Sequence, residues 1–486
     1  MEYRSTRGRS ETVNSAQAVV RGLADDGGLY MMKQIPSFDA KSCLEKDTMG
    51  MATQILGTLL PDIPNMQELV RRAYTGKFQT DELTPTATVG PFTVLELFRG
   101  PTSAFKDVAL CMLPQLLTAA KAQQGMTNEI MILTATSGDT GKAALAGFAD
   151  VEGVSICVFY PNGGVSAVQR AQMVTQQGSN VRVCAVEGNF DDAQTGVKNI
   201  FAACADGKLL DGKGFELSSA NSINIGRLAP QLTYYFKAYR DLLDRGRIRM
   251  GDKVNFCVPT GNFGDILAGY LAKLLGLPVG RLICASNANN VLTDFIRTGT
   301  YDRRRNLHKT DSPSMDILVS SNLERLLYLM SGQDVVLVDS LMQQLNQEGI
   351  YTVPDSLKEA INAEFWADYC DDAVTSETIG KVWKEHGYLC DTHTAVAWAV
   401  AERYVNQTGD NTPMVVLSTA SPYKFPAAVL HAIGGDAQGD EYRQMEQLHE
   451  LTGVPVPANL ARLQTLPELH RDVIAKEKML SFVLGE

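Results

Sequence analysis

Short apolar runs and amphipathic stretches alternate along most of this chain. Glu129–Ala135 (EIMILTA) is an apolar run of strand length, and Thr136–Gly141 (TSGDTG) is small and polar. Lys142–Phe148 has helical spacing, and Val154–Tyr160 (VSICVFY) is a strand again. Strand, tight loop, helix and strand make a βαβ unit, which predicts parallel pairing. Val165–Gln177 (helix) and Val181–Val186 (strand) repeat the theme. The same order returns later: strand Lys253–Val258, loop Pro259–Asp265, helix Ile266–Leu275, strand Arg281–Ala285. A third strand-to-helix passage leads from Met414–Leu417 through Ser418–Pro422 to a helix over Ala427–Ile433. Before residue 96 the pattern is mixed, with turn signals at Asp26-Gly27-Gly28 and Pro85 and helical stretches after Lys41 and Asn65. The expected fold is α/β: two open parallel-sheet domains with an N-terminal subdomain. The expected divisions are 1–95, 96–245 and 246–486. The cleft between the two larger domains is the expected ligand site.

Composition narrows the classes. At about 150 residues per domain, 486 residues suggest roughly three domains or two large ones. A hydrophobic content of 45% suffices for more than one core. The net charge of −11 disfavours polyanionic partners, so neither nucleic acid nor a membrane surface is expected. The nine cysteines form no C-x-x-C pair, most lie in apolar runs, and their number is odd. Such usage fits buried thiols in a reducing compartment. MEYRSTRGRS leads into no apolar h-region, so a cytoplasmic location is expected. No metal site is expected either. Cys390 and His393 have C-x-x-H spacing, but a helix start at Asp391–Thr394 explains them better than zinc without an evident fourth ligand.

Four stretches could carry chemistry. TSGDTG (136–141) and PTGNFGD (259–265) each join a strand to a helix. Such glycine-bearing loops hold anions on backbone N–H groups at a helix N-terminus, or serve simply as capping turns. Neither is a Walker A loop, and no G-x-G-x-x-G or G-x-S-x-G occurs. In GPTSAFKDVAL (100–110), Lys106 opens an apparent helix that Pro114 is expected to break or kink. The helix dipole and burial beside Phe105 would both lower the pKa of that amine, as Schiff-base chemistry requires. For a lone lysine, a solvated pair with Asp107 is the plainer alternative. LSTASP (417–422) places hydroxyls at a strand end, or is a Ser/Thr-rich turn before Pro422.

Taken together, these stretches resemble the threonine synthase family, pyridoxal-phosphate enzymes of the tryptophan-synthase-β fold type (fold type II). The resemblance runs from YRSTRG (3–8) and GLADDGGLY (22–30) through GPTSAFKD and TSGDTG to NSIN…R (221–227). It continues through PTGNFGDILAGY (259–270), SPSMDI (312–317), DTHTAVA (391–397) and LSTASPYKF (417–425). It implies pyridoxal 5'-phosphate as cofactor, bound covalently to Lys106, the catalytic residue. It implies that Thr260, Gly261, Asn262, Phe263 and Gly264 hold the cofactor phosphate. Thr419 would meet the pyridine nitrogen, and Asp139 the 3′-oxygen, a position where relatives usually carry Asn. Thr136, Ser137, Thr140, Asn221 and Arg227 would bind the substrate. The implied reaction converts O-phospho-L-homoserine and water to L-threonine and phosphate, in a monomer. The alternative within the same class is a phospho-lyase that releases 2-oxobutyrate, ammonia and phosphate.

Overall fold

The computed structural model describes residues 1–136, 138–163, 165–204 and 207–485. Two largely parallel sheets dominate it. The larger has six strands, in the order Phe365–Tyr369, Val279–Ser286, Val254–Pro259, Met414–Ser418, Phe92–Glu96, Thr86–Val89. Only the outermost pair, Thr86–Val89 with Phe92–Glu96, is antiparallel. The smaller sheet is parallel throughout: Val473–Ala475, Val181–Glu187, Val154–Pro161, Glu129–Ala135, Phe215–Ser218. The central strands Val254–Pro259, Met414–Ser418 and Val154–Pro161 are buried at every residue. That is why they read as continuous apolar runs, since helices cover both faces of each sheet. The expected α/β architecture and the strand–loop–helix units are therefore present.

Sheet membership departs from the three-part division at 95/96 and 245/246. Thr86–Val89 and all but the last residue of Phe92–Glu96, expected in the N-terminal subdomain, belong to the larger sheet, where Val94 pairs with Val416. The late strand Val473–Ala475 joins the smaller sheet, pairing Val473 with Ala185. Local periodicity identifies a strand but carries no information about its distant partner. Residues 2–32 do form their own three-stranded antiparallel sheet. The helices that follow pack onto the rest, with the Tyr74 hydroxyl donating to the Val108 carbonyl at 2.9 Å.

Pro114 neither breaks nor ends its helix, which runs unbroken over Lys106–Gln123. Proline at 114 has no N–H for the carbonyl of Leu110. That carbonyl instead points at Gly147 of the helix Asp139–Phe148, within 2.0 Å of where a Cβ on Gly147 would stand. Burial of Val108, Leu110, Leu113, Leu116 and Leu117 offsets the one lost hydrogen bond. The helix that begins with Lys106 is thus seated on the helix that begins with Asp139 through a contact only glycine permits. Among the described residues no helix is long and apolar enough to cross a membrane. All nine cysteines are buried.

Gly147→Ala is expected to push these two helices apart. The unfolding temperature should fall by several degrees, the cost of about 1–3 kcal/mol for overpacking a close contact, read by differential scanning calorimetry.

Candidate active site

Strands of both sheets deliver their C-terminal ends to one cavity, where open α/β sheets bind ligands. Glu96 leads through residues 97–105 to Lys106, Pro259 leads to the loop 260–263, and Ser418 leads to Thr419. The cavity, about 610 Å³ with its open mouth, is lined by Lys106, Thr140, Asn221, Arg227, Gly261, Asn262, Gly264 and Thr419. Eight expected residues, distant in sequence, thus meet around one space.

The approach to Lys106 is pinned. Asp107 accepts from the Thr102 N–H at 2.9 Å, the Thr102 hydroxyl at 2.6 Å and the Ala104 N–H at 3.4 Å. Its carboxylate is therefore engaged by the loop behind it, not paired with Lys106. Burial pushes the Asp107 carboxyl up to about 6, against these hydrogen bonds. Phe105 donates its N–H to the Thr419 carbonyl at 2.8 Å, which joins this loop to the strand end of the larger sheet. Lys106 Nζ lies over the Phe105 ring at 4.7 Å and donates to Ser314 Oγ at 3.4 Å.

The charges around Lys106 are unbalanced. Asp139 Oδ1 meets Lys142 Nζ at 2.8 Å and also accepts from Lys424 Nζ, with all three side chains at most 4% exposed. Burial opposes ionisation of Asp139, but the amines of Lys142, Lys424 and Lys106 hold its carboxyl well below the usual range. One carboxylate cannot neutralise three ammonium groups. Burial, reinforced by Lys424 and Lys106, lowers Lys142 to about 7 despite Asp139. Burial also lowers the Lys106 amine, with Lys424 and Arg227 adding to the effect and Asp139 and Asp265 opposing it. A neutral amine is the result this arrangement favours. Asp139 itself does not line the cavity.

The loop at 259–264 has the form of an anion cradle. Thr260 turns inward, donating its hydroxyl to the Val258 carbonyl and its N–H to the Ala285 carbonyl. A Cβ on Gly261 would lie 2.7 Å from the Ser314 carbonyl oxygen, so glycine is required there. Phe263 adopts φ +64° with its ring buried, and the helix Gly264–Leu274 begins immediately after it. Among the described residues, none of the N–H groups of Gly261–Gly264 meets an acceptor. Asn322 fastens the loop from outside, donating its N–H and Nδ2 to the Asn262 carbonyl at 3.0 and 3.1 Å. Arg325, fully buried, in turn donates to Asn322 Oδ1 and to the Tyr30 carbonyl.

Arg227 faces the same cavity. It is 3% exposed and donates Nη1 to the Ala220 carbonyl at 2.6 Å. Its Nε has no partner, and among the described residues no carboxylate pairs with it. Burial alone lowers its pKa to about 10. An uncompensated guanidinium in a cavity wall is a site for an anionic ligand.

Besides Asp139, three expected site residues do not reach the cavity lining. Thr136 spends its hydroxyl on its own loop, accepting from Gly138 N–H at 3.1 Å and Gly141 N–H at 3.3 Å. Thr260 and Phe263 shape the cradle through the backbone only. Ser137 lies outside the described residues. Sequence reading missed Ser314, His393, Asp265 and Gln231, which line the cavity, and Lys424 beneath it. The blocks SPSMDI, DTHTAVA and LSTASPYKF contain three of these five, so their positions were visible and only their contacts were not. Among the described residues no cluster could hold a metal ion.

A family model described as pyridoxal-phosphate dependent enzyme matches residues 80–420. Models described as threonine synthase N terminus and threonine synthase, C-terminal match residues 2–74 and 394–480. Threonine synthase-like 1 of Macaca fascicularis is 39% identical over 95% of this chain, which spans 62% of that protein's length. Threonine synthase of Pseudomonas aeruginosa is 38% identical over 97% of this chain and 98% of its own. The crystal structure of PLP-bound threonine synthase from Brucella melitensis superposes with a TM-score of 0.87 at 39% identity, covering 100% of this chain and 98% of that one. By fold, by sequence over nearly its whole length and by the loops that meet at its cavity, the chain belongs to the threonine synthase family of pyridoxal-phosphate-dependent enzymes.

Proposed function

We propose that this protein converts O-phospho-L-homoserine and water to L-threonine and phosphate. The observation that carries the reading is one cavity with two anion-binding walls and an amine between them. The glycine cradle at 261–264 suits one phosphate and the unpaired Arg227 guanidinium suits a second. A phosphorylated cofactor and a phosphorylated substrate need both.

The residues fit pyridoxal 5'-phosphate: Lys106 for covalent attachment, Thr260–Gly264 for its phosphate and Thr419 for its ring nitrogen. When bound, the cofactor acts as an electron sink that stabilises negative charge on the substrate carbons. Thr419 offers a neutral hydroxyl, not a carboxylate, and so leaves the ring nitrogen unprotonated. Arg227 and Asn221, with Thr140 at the helix end, grip the substrate phosphate and carboxylate. Lys106 removes the proton from the substrate Cα; a second proton leaves Cβ as the phosphate leaves Cγ, Cγ then gains a proton, and after water has added at Cβ a proton is returned to Cα. That role requires an amine that is neutral when released, a state that burial favours, with Lys424 and Arg227 adding to it. Asp139 serves as the ionised anchor of Lys142 and Lys424, an assignment that suits Asp at a position where relatives carry Asn. The proposal includes a monomeric protein of the cytoplasm. The nine buried thiols suit a reducing compartment, and light scattering reads the mass.

Lys106→Ala is expected to abolish both the visible absorbance of the bound cofactor and turnover. Product analysis of the unaltered chain separates threonine from 2-oxobutyrate, and 2-oxobutyrate as sole product would reject the synthase reading in favour of the phospho-lyase. Arg227→Leu should raise KM for O-phospho-L-homoserine by about 100-fold, equivalent to ~3 kcal/mol for a lost charge-assisted contact, with cofactor absorbance retained. Lys424→Met removes a cation, so the Lys106 amine should bind its proton more tightly. The midpoint for acylation of Lys106 in the cofactor-free protein should rise by about one pH unit, read by mass spectrometry across a pH series.

A further inference from the structure

Ser314 sits at the tip of a loop that is tied down on every side but one. Asp316 knots the base of the loop. Its Oδ1 accepts from Asn287 Nδ2 at 2.8 Å, Asn289 Nδ2 at 2.9 Å and the Thr310 hydroxyl at 2.7 Å, and its Oδ2 accepts from the Thr310 N–H at 3.0 Å. The tip is a single 3₁₀ turn, Pro313–Met315. Its carbonyl is wedged against Gly261, where a Cβ would come within 2.7 Å. Its N–H donates to His393 Nε2 at 3.1 Å. Only the hydroxyl is left, and it accepts from Lys106 Nζ.

The histidine is equally constrained. A ring nitrogen that accepts from a backbone N–H carries a lone pair, so the proton of neutral His393 is on Nδ1. Nδ1 donates to Asp391 Oδ2 at 2.7 Å. Asp391 is fixed in turn by the N–H groups of His393 and Thr394 at 3.0 and 3.1 Å, as the cap of the helix Thr392–Thr408. Asp391 is 0% exposed and His393 2%. Because Nε2 meets an amide N–H and not a hydroxyl, this pair has no nucleophile to activate. Its product is a fixed position for the Ser314 backbone.

We infer that Asp391 and His393 hold Ser314 as the hydrogen-bond acceptor that orients the Lys106 amine. A neutral primary amine has one lone pair and rotates freely about Cε–Nζ. Anchoring one N–H on Ser314 Oγ stops that rotation and leaves the lone pair facing the cavity, where bond formation and proton removal occur. Ser314 touches the reacting nitrogen; His393 and Asp391 are positioning residues. The inference rests on the assignment of Lys106 made under the proposed function.

The test uses full-length, cofactor-free protein mixed rapidly with pyridoxal 5'-phosphate, following the absorbance of its linkage to Lys106. Ser314→Ala should slow this capture about 10- to 100-fold, the range for a misoriented reacting group, with unchanged final loading and unfolding temperature. His393→Leu should slow it equally. His393→Gln, whose amide oxygen can accept from the Ser314 N–H, should recover most of the rate. Capture by Ser314→Ala at the unaltered rate overturns the inference, as does His393→Gln with an undiminished defect. If His393→Leu fails to fold, Ser314→Ala and His393→Gln still decide it. Capture is read without substrate. A chain that captures the cofactor but leaves O-phospho-L-homoserine intact therefore rejects the proposed reaction, while Ser314 is still judged on its own rate.

Discussion

A single buried carboxylate, Asp139, stands among more amines than it can neutralise, and the site depends on that imbalance. Lys142 and Lys424 contact it directly, and Lys106 lies within its field. Removing charge from water is costly in a protein interior, so burial lowers the pKa of both Lys106 and Lys142. Lys106 has a hydroxyl and a ring for neighbours and no carboxylate in contact. The same node fastens the molecule together. Lys424 comes from the turn after the central strand of the larger sheet, whereas Asp139 and Lys142 open a helix of the smaller one. The electrostatics that prepare the amine therefore also hold the two walls of the cleft in register.

Around this node the cavity is built from rigid pieces with few free polar ends. Asp107 spends its oxygens on the loop before Lys106, Asn322 and Arg325 clamp the glycine cradle, and Asp316 knots the loop behind Ser314. Among the groups left unpaired in the described residues are the N–H groups of Gly261–Gly264 and Arg227 Nε, which face the cavity. Buried polar groups are normally satisfied, so unpaired donors that share one cavity wall suit ligand atoms.

Much of this was legible in the sequence. The βαβ units, the two glycine loops and Lys106 could be placed because each depends on residues adjacent in the chain. Long-range relations were hidden. Asp139 was visible as part of a loop, but its partner Lys424 lies 285 positions away. His393 was legible as part of a helix start, which is correct, yet its task is defined by a backbone N–H at residue 314. Thr136 shows the converse relation. Its hydroxyl looked available for a ligand, whereas loop closure consumes it locally. Pro114 does not break its helix, because the carbonyl it leaves without a donor faces a glycine on the neighbouring helix, which the local sequence does not show.

The pairing of Phe92–Glu96 with Met414–Ser418 sets a schedule for biosynthesis. The early strand leaves the ribosome some 320 residues before its neighbour, which at about 5–20 residues per second is a delay of roughly 15 to 60 seconds. During that interval a strand that the finished fold buries at every residue has one covering hairpin partner and an open edge on the other side. The nascent chain therefore depends on shielding by chaperones or by its own N-terminal helices until translation is nearly finished, and a ribosome that stalls before residue 414 leaves an aggregation-prone fragment.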